Sequence, residues 1–189
     1  MNYKNQYQRK AHREVDFIFL TLLPQAGLSV REEQVKLSHQ MLDALLEGNI
    51  ALCDAGVGIG KTYAYLVACI LMRKYVAATG NGWLCDKRPI VISTSSIALQ
   101  EAIIQEYIPF LSDVFLSAGL IGSPLKAIVR KGKEHFVCDE RLGVRLEAVR
   151  EKPKNELQKK ALFSLKQIYD MDEVPNLSSF DRRLVCVPK

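Results

Sequence analysis

The sequence predicts an α/β fold, an incomplete parallel sheet with helices on both faces, followed by a helical C-terminal stretch. Three observations predict it. Apolar runs at Ile50–Cys53 and Pro89–Ser93 read as buried strands, and Lys126–Arg130 as a third short strand. Stretches of helical spacing separate them, and strand–helix–strand–helix–strand is the order of a parallel sheet. Gly56, Gly58 and Gly60 alternate with small apolar residues between the first run and the longest helical stretch, where the chain must turn sharply.

Taken in order, residues Gln8–Leu23 place Val15, Ile18, Phe19 and Leu22 on one helical face, with Pro24 and Gly27 as the stop. Ser29 followed by Glu32 is consistent with a capping box, opening a helix from about Val30 to Glu47 with Val35, Leu42, Leu45 and Leu46 inward. From Lys61 to about Ala78 the chain is apolar on nearly all sides, so that helix is expected to be mostly buried. The stretch Thr79–Trp83 breaks it. A further helix starts near Ile97, and Pro109 kinks or ends it. After Gly132 the chain is strand-poor and helical, interrupted at Pro153.

With 189 residues the chain suffices for one domain and part of another. No apolar run approaches the roughly 20 residues of a membrane helix. The N-terminal stretch lacks the apolar centre of a secretory signal, so the chain reads as cytoplasmic, without a membrane partner. Five cysteines, an odd number, fit a reducing compartment better than a disulfide framework. The net charge is +5, and residues 126–160 hold eleven Lys/Arg against six Asp/Glu. All the excess positive charge therefore falls there, either a solvated helical surface or a surface for phosphate backbones.

The turn itself carries chemistry. Ala55, Gly56, Val57, Gly58, Ile59, Gly60, Lys61 and Thr62 form a phosphate-binding loop, with Ala55 where the usual pattern starts with Gly. Successive backbone N–H groups in such a loop make a nest for anions, and the helix that follows adds its N-terminal dipole. Lys61 would reach the β- and γ-phosphates of a nucleotide. The Thr62 hydroxyl would be a Mg²⁺ ligand. A dinucleotide-binding loop is the weaker reading, because it needs no Lys–Thr pair and no acidic residue closes a second strand.

Three further stretches carry a family resemblance. Arg31 and Gln34, with Gln34 27 residues ahead of Lys61, resemble the Gln-containing motif with which many helicases hold adenine. The loop from Asp54 to Thr62 resembles that of the DinG/XPD family of superfamily 2 helicases, with Asp54 where Glu is more usual. Ile92–Pro109 looks like that family's next motif, and the resemblance puts Ser93, Thr94, Ser95 and Gln100 near single-stranded DNA. Lys131–Cys138 is similar to the stretch leading to the first cysteine ligand of the family's iron–sulfur cluster, with Lys133, His135 and Phe136 replacing Arg, Asn and Tyr. The resemblance runs from about Arg31 to Leu142.

It implies an ATP-dependent DNA helicase, moving 5′ to 3′ on single-stranded or forked DNA, with ATP and Mg²⁺ at the loop. Lys61 and Thr62 would be the catalytic residues, with Arg31, Gln34 and residues 55–60 binding nucleotide. Ser93, Thr94, Ser95, Gln100, Lys131 and Lys133 would meet DNA, and Cys138 a 4Fe–4S cluster. The implied domains are an N-terminal helical segment (1–30), the first part of a RecA-like motor domain (31–130) and the start of an iron–sulfur-type helical domain (131–189). Departures remain. A four-iron cluster takes four thiolates, and only Cys186 follows Cys138. No apolar strand presents an acidic pair, since Asp172–Glu173 precedes Pro175. The second motor domain, in this or another chain, is expected to supply an arginine finger. The alternative is a nucleotide- or DNA-binding module, or a remnant, without turnover.

Overall fold

The computed structural model describes residues 3–79, 89–150 and 156–188. The stop at Thr79–Trp83 lies largely outside these residues, and Cys85 and the interruption at Pro153 wholly so. The chain divides into two compact units, residues 1–128 and 129–189.

The first unit is built from helices. α1 (Tyr3–Phe17) runs into a π turn at Ile18–Leu22 and one more helical turn at Leu23–Gln25. Gly27 then adopts φ +94, the left-handed conformation that ends the element where Pro24 and Gly27 predict. α2 (Glu32–Glu47) ends on Gly48, whose φ of +75 lets its N–H turn back to Leu45. Its N-terminal flank is Arg31, which makes no side-chain cap, so the capping box expected at Ser29 does not form. α3 (Lys61–Thr79) is the helix predicted after the loop. Its residues Leu66, Val67, Ala68, Leu71, Met72, Tyr75 and Val76 are buried in one cluster with Val15, Ile18, Leu42 and Leu46. Glu14 of α1 accepts from the Tyr75 hydroxyl at 2.6 Å and pairs with Lys74 at 2.9 Å, clasping α1 to α3. Burial, and then that hydrogen bond, push the Tyr75 phenol well above its ordinary pKa. α4 (Ile97–Ala102) passes through a π turn at Ile103–Tyr107 into α5 (Ile108–Ser117). Pro109 falls at the first turn of α5, where its missing N–H costs little, and the π turn before it absorbs the mismatch.

The parallel sheet is not formed. Among the described residues there is no strand, only the isolated bridges Phe136↔Asp170 and Val137↔Cys186. The three runs expected as strands are irregular segments without ladder partners. Ile50 is 96% exposed, Leu52 100%, Val91 82% and Ile128 78%. The physical reason is locality. A helix closes its hydrogen bonds within four residues, whereas each strand needs a neighbour distant in sequence. Here the helices bury their apolar faces on one another, and the three runs have no strand to pair with.

The second unit packs α6 (Asp139–Arg150), α7 (Glu156–Ser164) and α8 (Ser179–Val185) around Leu142, Leu146, Leu162, Leu165, Met171 and Val185. Ser178 caps α8 by accepting from the Asp181 N–H.

Candidate nucleotide and DNA site

The loop between Ala55 and Gly60 turns on two glycines, Gly58 and Gly60, each at φ +83, where side chains other than glycine are strained. Gly60 accepts the first α3 hydrogen bond, from Ala64 N–H at 3.3 Å. The amides of the first turn of α3 are therefore the unpaired donors of a helix start. Lys61 is the first residue of α3, and its Nζ folds back to donate to the carbonyls of Ala55, at 3.0 Å, and Gly56, at 2.8 Å. To meet a phosphate, the ammonium would exchange two neutral acceptors for anionic ones, and charge-assisted bonds are about twice as strong.

α2 supports the loop from its other side. The Arg31 guanidinium donates to the Gly58 carbonyl, and the Gln34 amide donates to the Gly60 carbonyl at 2.7 Å. Gln34 is buried, and a Cβ at Gly60 would collide with its amide. In this structure Arg31 and Gln34 therefore fasten the loop backbone. Glycine at position 60 serves both the left-handed turn and the approach of that amide. The groups present suit a nucleoside triphosphate with Mg²⁺: a glycine-rich backbone, a helix N-terminus, one ammonium and the Thr62 hydroxyl.

Of the residues matched to single-stranded DNA, Ser93 and Ser95 are exposed. Thr94 and Gln100 hold the turn into α4. Thr94 Oγ1 accepts from the Ser96 N–H at 3.1 Å, and Gln100 Nε2 donates to the Thr94 carbonyl at 3.2 Å. Ser96, which the sequence reading did not single out, is the N-cap, accepting from the Leu99 N–H at 3.2 Å. The Ser-x-x-Leu pattern is a signal for a cap only once the helix start is known.

In the second unit Lys131 and Lys133 part company. Lys133 is exposed. Lys131 is 9% exposed, with Nζ 2.7 Å from Asp170 and 3.1 Å from Asp172. Asp172 also pairs with His135 at 3.0 Å and Arg182 at 2.8 Å, and Arg182 donates to the Met171 carbonyl at 2.6 Å. Burial opposes both charges. The bonds to Asp170 and Asp172 nonetheless raise the Lys131 pKa, and those from Arg182 and Lys131 depress that of Asp172. Lys131 is thus committed to an internal ion cluster.

Cys138 donates its N–H to the Val185 carbonyl at 2.8 Å, and Val187 to Phe136 at 2.9 Å. Val137 lies opposite Cys186 in that pairing, so Cys138 and Cys186 project to opposite faces. Among the described residues no group of three or more His, Cys, Asp or Glu is placed to hold a metal ion. The residues present do not fit a four-thiolate cluster. Among the described residues, no helix is long and apolar enough to cross a membrane.

Comparison with known proteins relates the chain to DinG-like helicases over part of its length. It is 31% identical over 112 residues to the 3'-5' exonuclease DinG of Bacillus subtilis, covering 59% of this chain and 10% of that protein. It is 26% identical over 139 residues to the probable ATP-dependent helicase YpvA of the same organism, covering 74% and 19%. With the ATP-dependent DNA helicase YoaA of Escherichia coli the identity is 29% over 116 residues, covering 61% and 15%. The aligned region spans between about a tenth and a fifth of the length of these relatives. No protein-family profile and no solved structure matches the chain.

Proposed function

We propose that these residues are the ATP-binding and single-strand-engaging part of a DinG-like, ATP-dependent DNA helicase that moves 5′ to 3′. The observation that carries the reading is Lys61 at the start of α3, its ammonium on the carbonyls of a loop turned by Gly58 and Gly60. The names of YpvA and YoaA, ATP-dependent helicases, support it.

In this reading the loop amides and the α3 N-terminus bind the nucleotide's phosphates, and Lys61 neutralises the β- and γ-oxygens. Thr62 would hold Mg²⁺ through its hydroxyl, and the ion would supply positive charge beside the phosphates. Arg31 and Gln34 act through the loop, keeping its backbone in the binding shape. Ser93 and Ser95 offer exposed hydroxyls to a DNA strand, and Lys133 an exposed ammonium. Hydrolysis also needs an acidic pair to orient water and an arginine finger from a second motor domain, in the same or another chain.

A binding module without turnover is the second reading. It is favoured by Asp172, the acidic candidate beside Glu173, which is bound to Lys131, His135 and Arg182. Phosphate release by the 189-residue chain, with and without single-stranded DNA, tests whether these residues turn over ATP by themselves. We expect background rates in both cases, because the finger alone contributes about 10³–10⁵ in rate in related NTPases. DNA-stimulated hydrolysis would show that the chain is active by itself and would return Asp172 and Glu173 to consideration as its acidic pair.

A further inference from the structure

α1 and α2 each carry a histidine followed four residues later by an aspartate: His12 and Asp16 on α1, His39 and Asp43 on α2. Each pair is one helical turn apart on one face. The two helices cross-match them. His12 Nε2 lies 2.7 Å from Asp43, and His39 Nε2 lies 2.8 Å from Asp16. The two Nδ1 atoms then meet each other at 2.7 Å. The ring centroids are 4.9 Å apart with planes 24° from parallel. That separation is close to the Nδ1–Nδ1 distance plus the two ring radii, so the nitrogens are aimed end to end. Both rings are about a quarter exposed and both carboxylates about half exposed, so solvent reaches the pair.

The protons can be counted. An Nε2 facing a carboxylate is an N–H donor, which leaves the Nδ1 of a neutral ring as an acceptor. Two acceptors hold each other at 2.7 Å only with a cation between them, a proton or a metal ion. This is a pair of imidazoles whose Nδ1 lone pairs face each other across one short gap. Each ring is oriented by a carboxylate on its far nitrogen, the arrangement that fixes metal-ligating histidines.

We propose that His12 and His39 form a two-imidazole site for a divalent transition metal of the Zn²⁺ type, clipping α1 to α2. Two waters complete a four-coordinate shell. Imidazole nitrogen suits Zn²⁺, Ni²⁺ and Cu²⁺ and not the hard cations Mg²⁺ and Ca²⁺. Bonds of about 2.0–2.1 Å at a tetrahedral angle need nitrogens about 3.3 Å apart, so both rings must move apart from their 2.7 Å contact and turn off the line that joins them. A proton held between the rings would leave to solvent as the metal binds. Because α2 also carries Gln34, which holds Gly60, the clip would stiffen the support of the loop without sharing a residue with it.

Calorimetric titration of Zn²⁺ into the whole chain, in buffers of different ionisation enthalpy, tests this. The parent for every comparison is the Cys138→Ser, Cys186→Ser chain, which removes two thiolate competitors. One equivalent of Zn²⁺ is expected, with about one proton released. Binding should be lost in both His12→Gln and His39→Gln, and weakened about 10–100-fold in Asp16→Asn and Asp43→Asn. Nitrogen-15 spectra should show both Nδ1 resonances moving. Binding unchanged by the histidine variants, no binding at all, or binding indifferent to the two aspartates would overturn the proposal.

Discussion

Replacing Lys131 by alanine should destabilise the second unit, because the side chain is held in an internal ion cluster. The side chain is 9% exposed and its ammonium is shared by Asp170 and Asp172, themselves 16% and 10% exposed. Removing one partner from a buried ion pair costs about 3–5 kcal/mol. The lower end applies here, because Asp172 keeps Arg182 and His135 and Asp170 keeps the Asp172 N–H at 2.9 Å. About 3 kcal/mol accelerates exchange of the core amides roughly a hundredfold, and lowers the melting point of a unit this small by about 12–24 °C. Hydrogen exchange at Leu146, Leu162 and Leu165 reads it directly. The pH dependence has a defined sign. The Asp172 pKa is depressed in the folded state, so its contribution is present above the ordinary carboxylate value near ~4 and is lost as pH falls through the depressed one. The Lys131 pKa is raised, so its contribution is complete below ~10.4 and is lost only at higher pH. Protection should therefore hold from mildly acidic to mildly alkaline conditions and fall at low pH. Lys131→Ala should show less of that acid loss. Exchange in Lys131→Ala within twofold of wild type would refute the cluster as a structural element.

Two other changes separate roles the sequence left merged. Gly60→Ala should lower the urea midpoint more than Gly58→Ala. Both force a left-handed residue, at about 1–3 kcal/mol, but only at Gly60 does the new Cβ meet the Gln34 amide; equal midpoints would remove Gln34 from the support of the loop. Lys133→Ala should flatten the salt dependence of single-stranded DNA binding by about 0.7 log units per log unit of salt, one phosphate's worth, measured by fluorescence anisotropy; an unchanged slope would exclude Lys133 from the interface.

What was legible in the sequence follows from the range of each interaction. α3 could be read because its apolar residues recur within a turn and Gly60–Lys61 marks its start. The end at Gly27 could be read because Pro and Gly act on their own dihedrals. The sheet could not be tested from Ile50–Cys53 or Pro89–Ser93 alone, because a strand is made by its neighbour. Lys131 was visible only as a cation, and nothing local announces that Asp170 and Asp172, 39 and 41 residues on, would bury it. Gln34 was visible by its spacing from Lys61, but its bond to the Gly60 carbonyl depends on how α2 packs. The His-x-x-x-Asp pattern on α1 and α2 was in plain view. It gains meaning only once the two helices lie side by side with each histidine opposite the other's aspartate.

The measurement that bears most directly on the account is titration of ATP–Mg²⁺ into the wild-type chain and into Lys61→Ala. A hydrogen bond to a charged group is worth roughly 1.5–3 kcal/mol, so the substitution should weaken binding by about one to two orders of magnitude. Circular dichroism should stay unchanged, because Lys61 is exposed and its ammonium donates to the Ala55 and Gly56 carbonyls of an irregular loop. Equal affinities in two folded proteins would contradict the assignment of residues 55–62 as a phosphate-binding loop.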